Sequence, residues 1–353
     1  MAYTAVRGGE AAVEAAGRIE REYAAAGTVS AEDVQTSLPY LVDQVISEAR
    51  LYAPELAARA IAEARGDVAE AVFLLRAYRS TLDRVSNSLA LDTDTMRVTR
   101  RISSAFKDIP GGQLLGGTRD YTQRLLGRGA LAGAASETET DVRGDGGEGL
   151  LPRVTDLLRD QGLVAERSSD EDPEEPYDLT RQPLRIPTPR SGRLQGLAGS
   201  ETGAISALAY SSMRGFGPGH PVPADFRIGY LPLLVEHPYA DVPVEIGEIY
   251  CTECEMVHHA EDEPGSGGLG MGYGFTLGRN ERKAISMAIL DDAIEVGNAR
   301  ATGPAAPAED EEFVLYHVDG LESTGFLEHL KLPHYVTFQS GLDRLRYANM
   351  DGE

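Results

Sequence analysis

Two histidines near the C-terminus, His329 and His334, flank a lysine and a proline in the segment EHLKLPHYVTFQ, residues 328–339. On one continuous helix, five residues turn the chain by about 500°, so the two rings would point apart. Pro333 disfavours helix at the residue before it, which places His329 in a last helical turn and His334 just beyond the break. The rings can then converge on one ion, as half of a tetrahedral zinc site. The alternative is two ordinary histidines at a helix C-terminus, where the helix dipole favours them.

A second possible metal site is the segment CTECEMVHH. Cys251 and Cys254 have the CxxC spacing of zinc ligands, and His258 and His259 follow them. However, residues 242–253 are rich in β-branched and aromatic residues and are predicted to form a strand. Side chains three apart on a strand point to opposite faces. No second CxxC completes the pattern, so the sequence argues against a zinc site here.

Basic residues concentrate in two segments of an otherwise acidic chain. Residues 96–126 contain six basic and two acidic residues, a net charge of +4, and residues 181–193 contain four arginines and no acid. The basic residues of the first segment are Arg97, Arg100, Arg101, Lys107, Arg119 and Arg124. Arginine forks bind phosphate or phosphonate oxygens, and the backbone amides of Gly111 and Gly112 can hold the same anion. The alternative is that these arginines pair with acids from elsewhere in the fold.

A glycine-rich segment, GLGMGYGFTLG, precedes a predicted helix whose N-cap is Asn280. The glycines permit close approach of a ligand, and the helix offers an anion-binding N-terminus. The alternatives are a strand whose glycines let another backbone pack closely, or a flexible loop. The segment contains no GxxxxGK[ST] motif, which argues against a P-loop.

The composition indicates a folded and strongly acidic protein. The chain has 353 residues and a formal net charge of -23, with 42% hydrophobic and 25% charged residues. Such a charge repels nucleic acid and anionic membranes over most of the surface, so neither is expected as a partner. No apolar run is long enough to span a bilayer, and the first residues lack a signal-peptide pattern. Together with only two cysteines, this predicts a cytoplasmic protein. We interpret the acidity as solvation in a salt-adapted host.

The elements that would position these residues begin with a mainly helical N-terminal region, residues 1–133. Apolar residues recur at helical spacing over residues 8–26 and 30–86. The helical pattern is expected to break at Pro39, Pro54 and Gly66–Asp67.

Two further regions are predicted. Residues 134–178 contain fourteen acids and four arginines, a net charge of -10, which predicts a flexible acidic connection around one short helix. Residues 179–353 combine strands at 225–236 and 242–253 with helices, so the fold class is α+β with antiparallel strands.

The motifs together resemble subunit I of the carbon–phosphorus lyase core complex, the PhnI family. The segments that carry the resemblance include AVFLLRAYRSTL (71–82), RRISSAFKDIPGGQLLG (100–116), ALAYSSMRGFG (207–217), TECEMV (252–257) and HLKLPHYVTFQ (329–339). All three lysines of the chain lie inside the matching motifs. The chain departs from the family at Gly117, where proline is usual. Cys251, His258 and His259 lie outside the pattern, and the acidic span has no counterpart.

The resemblance implies an α+β subunit of a hetero-oligomer with subunits G, H and J and the associated ATP-binding subunits K and L. With subunits G, H and L, the family transfers the ribose triphosphate part of ATP to a phosphonate. Adenine leaves and ribose 1-phosphonate 5-triphosphate forms, and the radical subunit J later breaks the carbon–phosphorus bond. The I subunit alone resembles a purine nucleosidase. The alternative is a non-catalytic scaffold that positions J.

Displacement of a purine at C1′ needs an acid near the base, a carboxylate near the sugar and cations on the phosphates. The acid–base candidates in matching motifs are Asp120, Glu253, Glu255 and Glu281. The substrate-binding candidates are Arg97, Arg100, Arg101, Lys107, Gly111, Gly112, Lys283 and Lys331. The resemblance further implies that His329 and His334 bind Zn²⁺ at the face shared with J.

Overall fold

The computed structural model of the chain describes residues 9–25, 27, 29–121, 152–164, 175–214, 221–240, 242–259 and 268–350. The described residues form helices around one antiparallel sheet, with the N-terminal part mainly helical. The predicted α+β class is therefore confirmed. Arg124 and the predicted boundary at residue 133 lie outside the described residues.

The N-terminal helices begin and end where the sequence predicted breaks. Their bounds are α1 Gly9–Ala25, α2 Ala31–Ser37, α3 Pro39–Ala49, α4 Pro54–Glu63 and α5 Val68–Ser80. Pro39 and Pro54 are the first residues of α3 and α4, where a missing N–H costs nothing. Gly66 has a φ of 87°, and the Asp67 side chain then caps α5 by accepting from the Glu70 N–H. Helices α2 to α5 enclose their own apolar core.

The sheet has four strands in the order β1-β2-β3-β4, each antiparallel to its neighbour. Their bounds are β1 Arg97–Ile102, β2 Val222–Glu236, β3 Pro243–His259 and β4 Leu269–Leu277. The two strands predicted around residues 225–236 and 242–253 are confirmed as β2 and β3. Strand β1 comes from the predicted helical region but completes the sheet of the C-terminal region.

One face of the sheet packs against the long helix α9, Glu281–Ala299. The glycine-rich segment is strand β4, and a Cβ at Gly272 or Gly274 would collide with the carbonyl of Ala288 or Ala284 in α9. The glycines therefore let helix and strand approach closely, and the loop interpretation of this segment is wrong. Asn280 is the N-cap residue as predicted, but its amide donates to Leu277 O and Asp43 O rather than capping the helix.

The remaining helices are α6 Val154–Asp160, α7 Arg190–Ala198, α8 Thr202–Met213, α10 Glu311–His317, α11 Gly320–His329 and α12 Tyr335–Met350. Helix α6 is the short helix expected inside the acidic span. Val154 and Leu158 are buried in a cluster with Val257 of β3. Between residues 152 and 164, the span is therefore part of the packed structure. Residues 134–151 and 165–174 lie outside the described part of the chain.

Helices α11 and α12 contain no buried residue and expose large apolar side chains. No described helix combines the length and apolar character needed to cross a membrane.

Candidate functional site

A bulge in β1 decides which way its arginines point. The register of β1 against β2 shifts between Val98 and Arg100, so that Arg97 lies opposite Tyr230 and Arg100 opposite Ile228. A bulge adds one residue to a strand and re-aims the side chains beyond it. Arg97 and Arg100 consequently lie on the face that α9 covers, here called the α9 face. Arg101 points to the opposite face.

Arg100 lies between two of the predicted acid–base residues, Asp120 and Glu281. Glu281 is the first residue of α9. The Nη2 of Arg100 contacts the Asp120 carboxylate at 2.6 Å and its Nε contacts the Glu281 carboxylate at 3.0 Å. Its Nη1 donates to Leu115 O at 2.5 Å. The Arg100 side chain is 5% exposed, whereas those of Asp120 and Glu281 are 45% and 28% exposed. The structure thus brings together two carboxylates that solvent can reach around one buried guanidinium. We call Arg100, Asp120 and Glu281 the Arg100 cluster.

Arg101 has a different environment on the opposite face. It forms a two-point ion pair with Asp225, with nitrogen–oxygen distances of 3.0 and 2.7 Å, and each side chain is 1% exposed. Its Nη1 donates to Pro110 O, and its Nη2 also donates to Pro152 O. All three nitrogens of Arg101 are bonded within the fold, so this geometry does not support the expected contact with a substrate. For Arg101, the pairing alternative is the one observed.

Glu253 and Glu255 also lie on the opposite face, inside a buried polar network. Glu253 accepts hydrogen bonds from the hydroxyls of Tyr273 and Thr93, at 2.9 and 2.8 Å, and pairs with Arg227. Its exposed fraction is 1%. Glu253 is therefore enclosed and fully bonded in this structure, and not placed beside the Arg100 cluster.

Glu255 pairs with Arg153 at 2.9 Å and accepts from Thr155 at 2.6 Å. Burial and the nearby charge of Glu253 raise the pKa of the Glu255 carboxyl. A raised carboxyl pKa suits a general acid, but the group is 3% exposed and Arg153 and Thr155 come from the packed part of the acidic span. The four predicted acid–base residues thus divide into two pairs on opposite faces of the sheet.

Lys283 is fully buried in the first turn of α9. Its Nζ donates to the Ser47 hydroxyl at 2.8 Å, and its exposed fraction is 0%. Burial lowers the pKa of the amine to about 7, against an opposing effect of Glu48. Lys283 presents nothing to a ligand in this structure, and the geometry supports a packing role.

Lys107, Gly111 and Gly112 lie on the exposed loop that follows β1. The two glycines have φ values of 77° and 74°, which side chains disfavour. The loop returns beside the strand, where Arg101 and Leu114 exchange backbone hydrogen bonds of 2.7 Å. These three residues remain candidates for anion binding, whereas Lys283 lies in the interior.

Six side chains form a continuous row on the α9 face and around the start of α9, here called the arginine–tyrosine strip: Arg97, Tyr230, Tyr250, Arg279, Tyr40 and Arg119. The Tyr230 and Tyr250 rings, opposite each other on β2 and β3, are 4.6 Å apart. The Arg97 guanidinium lies 4.3 Å from the centre of the Tyr230 ring. Each tyrosine of the strip is partly exposed. Sequence reasoning missed these tyrosines because they come from three distant segments.

The rest of the strip is joined by Arg279. It donates to the hydroxyls of Tyr250 and Tyr40, at 2.9 and 3.3 Å. Arg119 then lies 4.0 Å over the Tyr40 ring. Arginine over an aromatic face is a favourable cation–π arrangement.

His329 and His334 converge as the Pro333 break predicts. His329 ends α11 and His334 directly precedes α12, with ring centres 5.0 Å apart. The Nδ1 of His329 contacts Phe326 O, and that of His334 contacts Leu332 O at 2.6 Å. Metal-binding histidines commonly use one nitrogen in this way and leave the other for the ion. The pair therefore fits two of the four ligands of zinc. Lys331 is exposed and pairs with Glu328, three residues before it in the chain.

The described residues contain no cluster of three or more histidine, cysteine, aspartate or glutamate side chains able to hold a metal. Strand β3 separates the two cysteines as expected, with Cys251 and Cys254 buried in different apolar clusters. Burial raises the pKa of the Cys251 thiol to about 12, which disfavours the thiolate that zinc requires.

Two of the four arginines in the second basic segment are paired within the fold. Arg190 and Arg193 contact the buried carboxylate of Asp291 at 2.8 and 3.3 Å, and Arg193 also contacts Glu295. Charge balance inside the protein accounts for these arginines without a ligand.

A separate cavity of about 380 Å³ lies between α3, α5 and the start of α11. Glu48, Arg76 and Glu201 are among the residues that line it, and none of the predicted site residues does. Its charged side chains are already bonded, for example Arg76 to Asp319 at 2.9 Å. The Arg100 cluster, and not this cavity, is therefore the candidate functional site.

Comparison with known proteins matches residues 2–351 to the family model of the bacterial phosphonate metabolism protein PhnI. The chain is 46% identical to the putative C-P lyase subunit protein HtxH of Stutzerimonas stutzeri, over 98% of this chain and 95% of the relative. It is 43% identical to the alpha-D-ribose 1-methylphosphonate 5-triphosphate synthase subunit PhnI of Escherichia coli K12, over 98% and 97% of the two chains. The subunit of the same name from Rhizobium meliloti is 42% identical over 98% and 94%. The match spans both the helical region and the sheet that carries the Arg100 cluster, and the chain belongs to the PhnI family.

Proposed function

We propose that the chain is the I subunit of a carbon–phosphorus lyase complex in phosphonate catabolism. With subunits G, H and L, it would transfer the ribose triphosphate part of ATP to a phosphonate. The observation that carries this proposal is the similarity, from end to end, to two subunits named as ribose 1-methylphosphonate 5-triphosphate synthase subunits. Alone, the chain would act as a purine nucleosidase on ATP or GTP, with water in place of the phosphonate.

The Arg100 cluster is the part of the structure best suited to this reaction. The bond from C1′ to the purine breaks, a phosphonate oxygen bonds to C1′, and the departing base gains a proton. Glu281 is paired with Arg100 and lies at the N-terminus of α9. Both the guanidinium and the helix dipole stabilise a negative charge on its carboxylate. We assign Glu281 to face the positive charge that develops at C1′, and the more exposed Asp120 to the proton transfer. The exposed Arg97 supplies a cation for the phosphates.

The test uses the complex assembled from all its subunits, supplied with ATP and methylphosphonate. Adenine release is followed by chromatography and the phosphonate product by phosphorus NMR. Glu281→Gln and Asp120→Asn are each expected to lower the rate by about 10²–10⁴-fold, the usual contribution of an acid–base group. The matched control is Asp343→Asn, which removes an exposed carboxylate paired with Arg346 on α12.

The scaffold alternative predicts a different result. If both variants assemble normally and retain the parent rate, the chemistry belongs to another subunit and the chain positions J. Incubation of the purified chain with ATP or GTP gives a second, independent answer, because a scaffold releases no free base.

We further propose that His329 and His334 bind Zn²⁺ together with ligands from subunit J. The open Nε2 atoms of the two converging rings support this proposal, since zinc prefers nitrogen and sulfur ligands. Bound zinc would supply a positive charge at the shared face. Lys331, on the same turn, then serves substrate oxygens or a partner carboxylate.

The double variant His329→Ala, His334→Ala is expected to assemble and to lose one equivalent of zinc per I subunit, measured by elemental analysis. Carbon–phosphorus cleavage should fall while base release by the isolated chain persists. The same zinc content in parent and variant complexes would refute the assignment. Phe326→Ala, on α11 beside His329, is the control for a general disturbance of this region.

A further inference from the structure

The arginine–tyrosine strip lies where the sheet is no longer covered by α9. Helix α9 starts at Glu281, and the neighbouring cross-strand pair Tyr230–Tyr250 is left partly exposed. This face is partly exposed and carries aromatic rings alternating with guanidinium groups. It therefore offers two kinds of contact. The flat rings stack on flat ligands, and the guanidinium groups pair with anions.

We propose that this strip binds a nucleotide, with the base stacked on tyrosine rings and the phosphates paired with strip arginines. The inference rests on the proposed function, which it deepens by locating the nucleotide on the chain. A nucleotide is the ligand class that joins a flat π system to several negative charges. Both halves of that chemistry lie within one continuous row.

The strip is built to hold its tyrosine rings in place. Arg279 binds the hydroxyls of Tyr40 and Tyr250 and so joins α3 to β3. Thr99 lies 3.4 Å from the Tyr250 hydroxyl, at the β1 bulge. Rings fixed by hydrogen bonds at their edges keep their faces oriented for stacking, which lowers the entropic cost of binding.

One ring has a cover that is easily displaced. Arg97 lies over Tyr230, but its side chain is 61% exposed and its salt bridge of 2.8 Å with Glu248 is exposed as well. Exposed ion pairs are weak, so the guanidinium can leave the ring and pair with a phosphate when a base takes its place.

The strip also leads directly to the carboxylates of the Arg100 cluster. Arg119 precedes Asp120 in the chain, and Arg279 lies two residues before Glu281. A base stacked on the strip therefore places its ribose next to the groups that the proposed reaction needs. Tyrosine and arginine are also common at protein interfaces. The adjacent pair of carboxylates around a buried guanidinium favours the nucleotide over a partner protein.

The experiment measures binding to the full chain by displacement of a fluorescent N-methylanthraniloyl ATP. The competitors are ATP, adenosine and inorganic tripolyphosphate. Tyr230→Leu and Tyr40→Leu are each expected to weaken ATP and adenosine by roughly 5- to 150-fold, the loss of one stacked base. Tripolyphosphate binding should stay within twofold of the parent.

The paired controls separate stacking from charge and from folding. Tyr230→Phe and Tyr40→Phe keep the rings and should bind adenosine within threefold of the parent. Arg97→Gln, at an exposed position that the fold tolerates, should weaken tripolyphosphate and ATP but not adenosine. Tyr347→Leu, an exposed tyrosine of α12, should change nothing.

The inference is overturned if folded leucine variants bind adenosine as the parent does, or lose tripolyphosphate to the same extent. It is also overturned if those variants keep nucleotide binding but no longer assemble with partner subunits, since the strip is then an interface. If the parent complex is active but the leucine variants bind adenosine normally, only this inference is refuted. A parent complex that releases no adenine removes the proposed function instead.

Discussion

Replacement of Lys283 by methionine tests the burial of its amine in the interior. The amine has 0% exposure and one hydrogen bond, to Ser47. Methionine has nearly the same length and carries no charge, so it fills the site and leaves the Ser47 hydroxyl with its bond to Ala198 O. The charged groups around the amine are Glu48, Glu201, Arg50 and Arg76, so two acids oppose two arginines.

The expected effect is a change in how stability depends on pH. Burial lowers the pKa of Lys283 from 10.5 to about 7. Between these values, the unfolded chain keeps a proton that the folded chain has released, so the free energy of unfolding rises with pH. The whole difference corresponds to about 5 kcal/mol at 1.36 kcal/mol per pH unit. Between pH 6 and 8.5, the parent should gain about 2 kcal/mol relative to Lys283→Met.

Urea unfolding of both proteins at several pH values between 6 and 8.5 measures this difference. The parent curve should rise against the variant curve, and most of the rise should come above pH 7. The control is Lys107→Met, an exposed lysine, whose curve should run parallel to that of the parent. Parallel curves for the parent and Lys283→Met would refute the argument, because a lysine that stays hydrated gives no such difference.

Three further changes test the packing around the site. Arg101→Met or Asp225→Leu alone should lower the free energy of unfolding by about 3–5 kcal/mol, because each leaves a buried charge unpaired, and the double variant should lose less. Equal losses in the single and double variants, seen in urea unfolding, would contradict this. Gly274→Ala inserts a methyl against the backbone of α9 and should cost more than about 4 kcal/mol. Gly117→Ala, with open space around it, should not lower the free energy of unfolding by more than about 0.5 kcal/mol. Leu158→Ala should lower the free energy of unfolding by about 2–5 kcal/mol, because Leu158 of α6 is buried. An unchanged melting temperature would show that α6 belongs to the flexible acidic connection and not to the packed structure.

Local patterns in the sequence determined the elements. Proline at a first helical position and a glycine before an N-cap depend only on neighbouring backbone geometry, so the breaks before α3, α4 and α5 were predictable. The same holds for His329 and His334, whose convergence follows from one proline between them. Alternation within β3 was enough to separate Cys251 from Cys254.

Only the tertiary structure decided which charged residues share a site. A bulge of one residue in β1 sends Arg100 to the α9 face while Arg101 points the other way, and neither composition nor spacing encodes that bulge. Asp225, which pairs with Arg101, lies 124 residues further along the chain. Glu281, which pairs with Arg100, lies about 180 residues further along. The tyrosines of the strip meet because β2, β3 and α3 are adjacent in space. The physical reason is that burial and ion pairing depend on contacts between residues that are far apart in the sequence. These contacts form only when the chain folds, so local patterns do not show them.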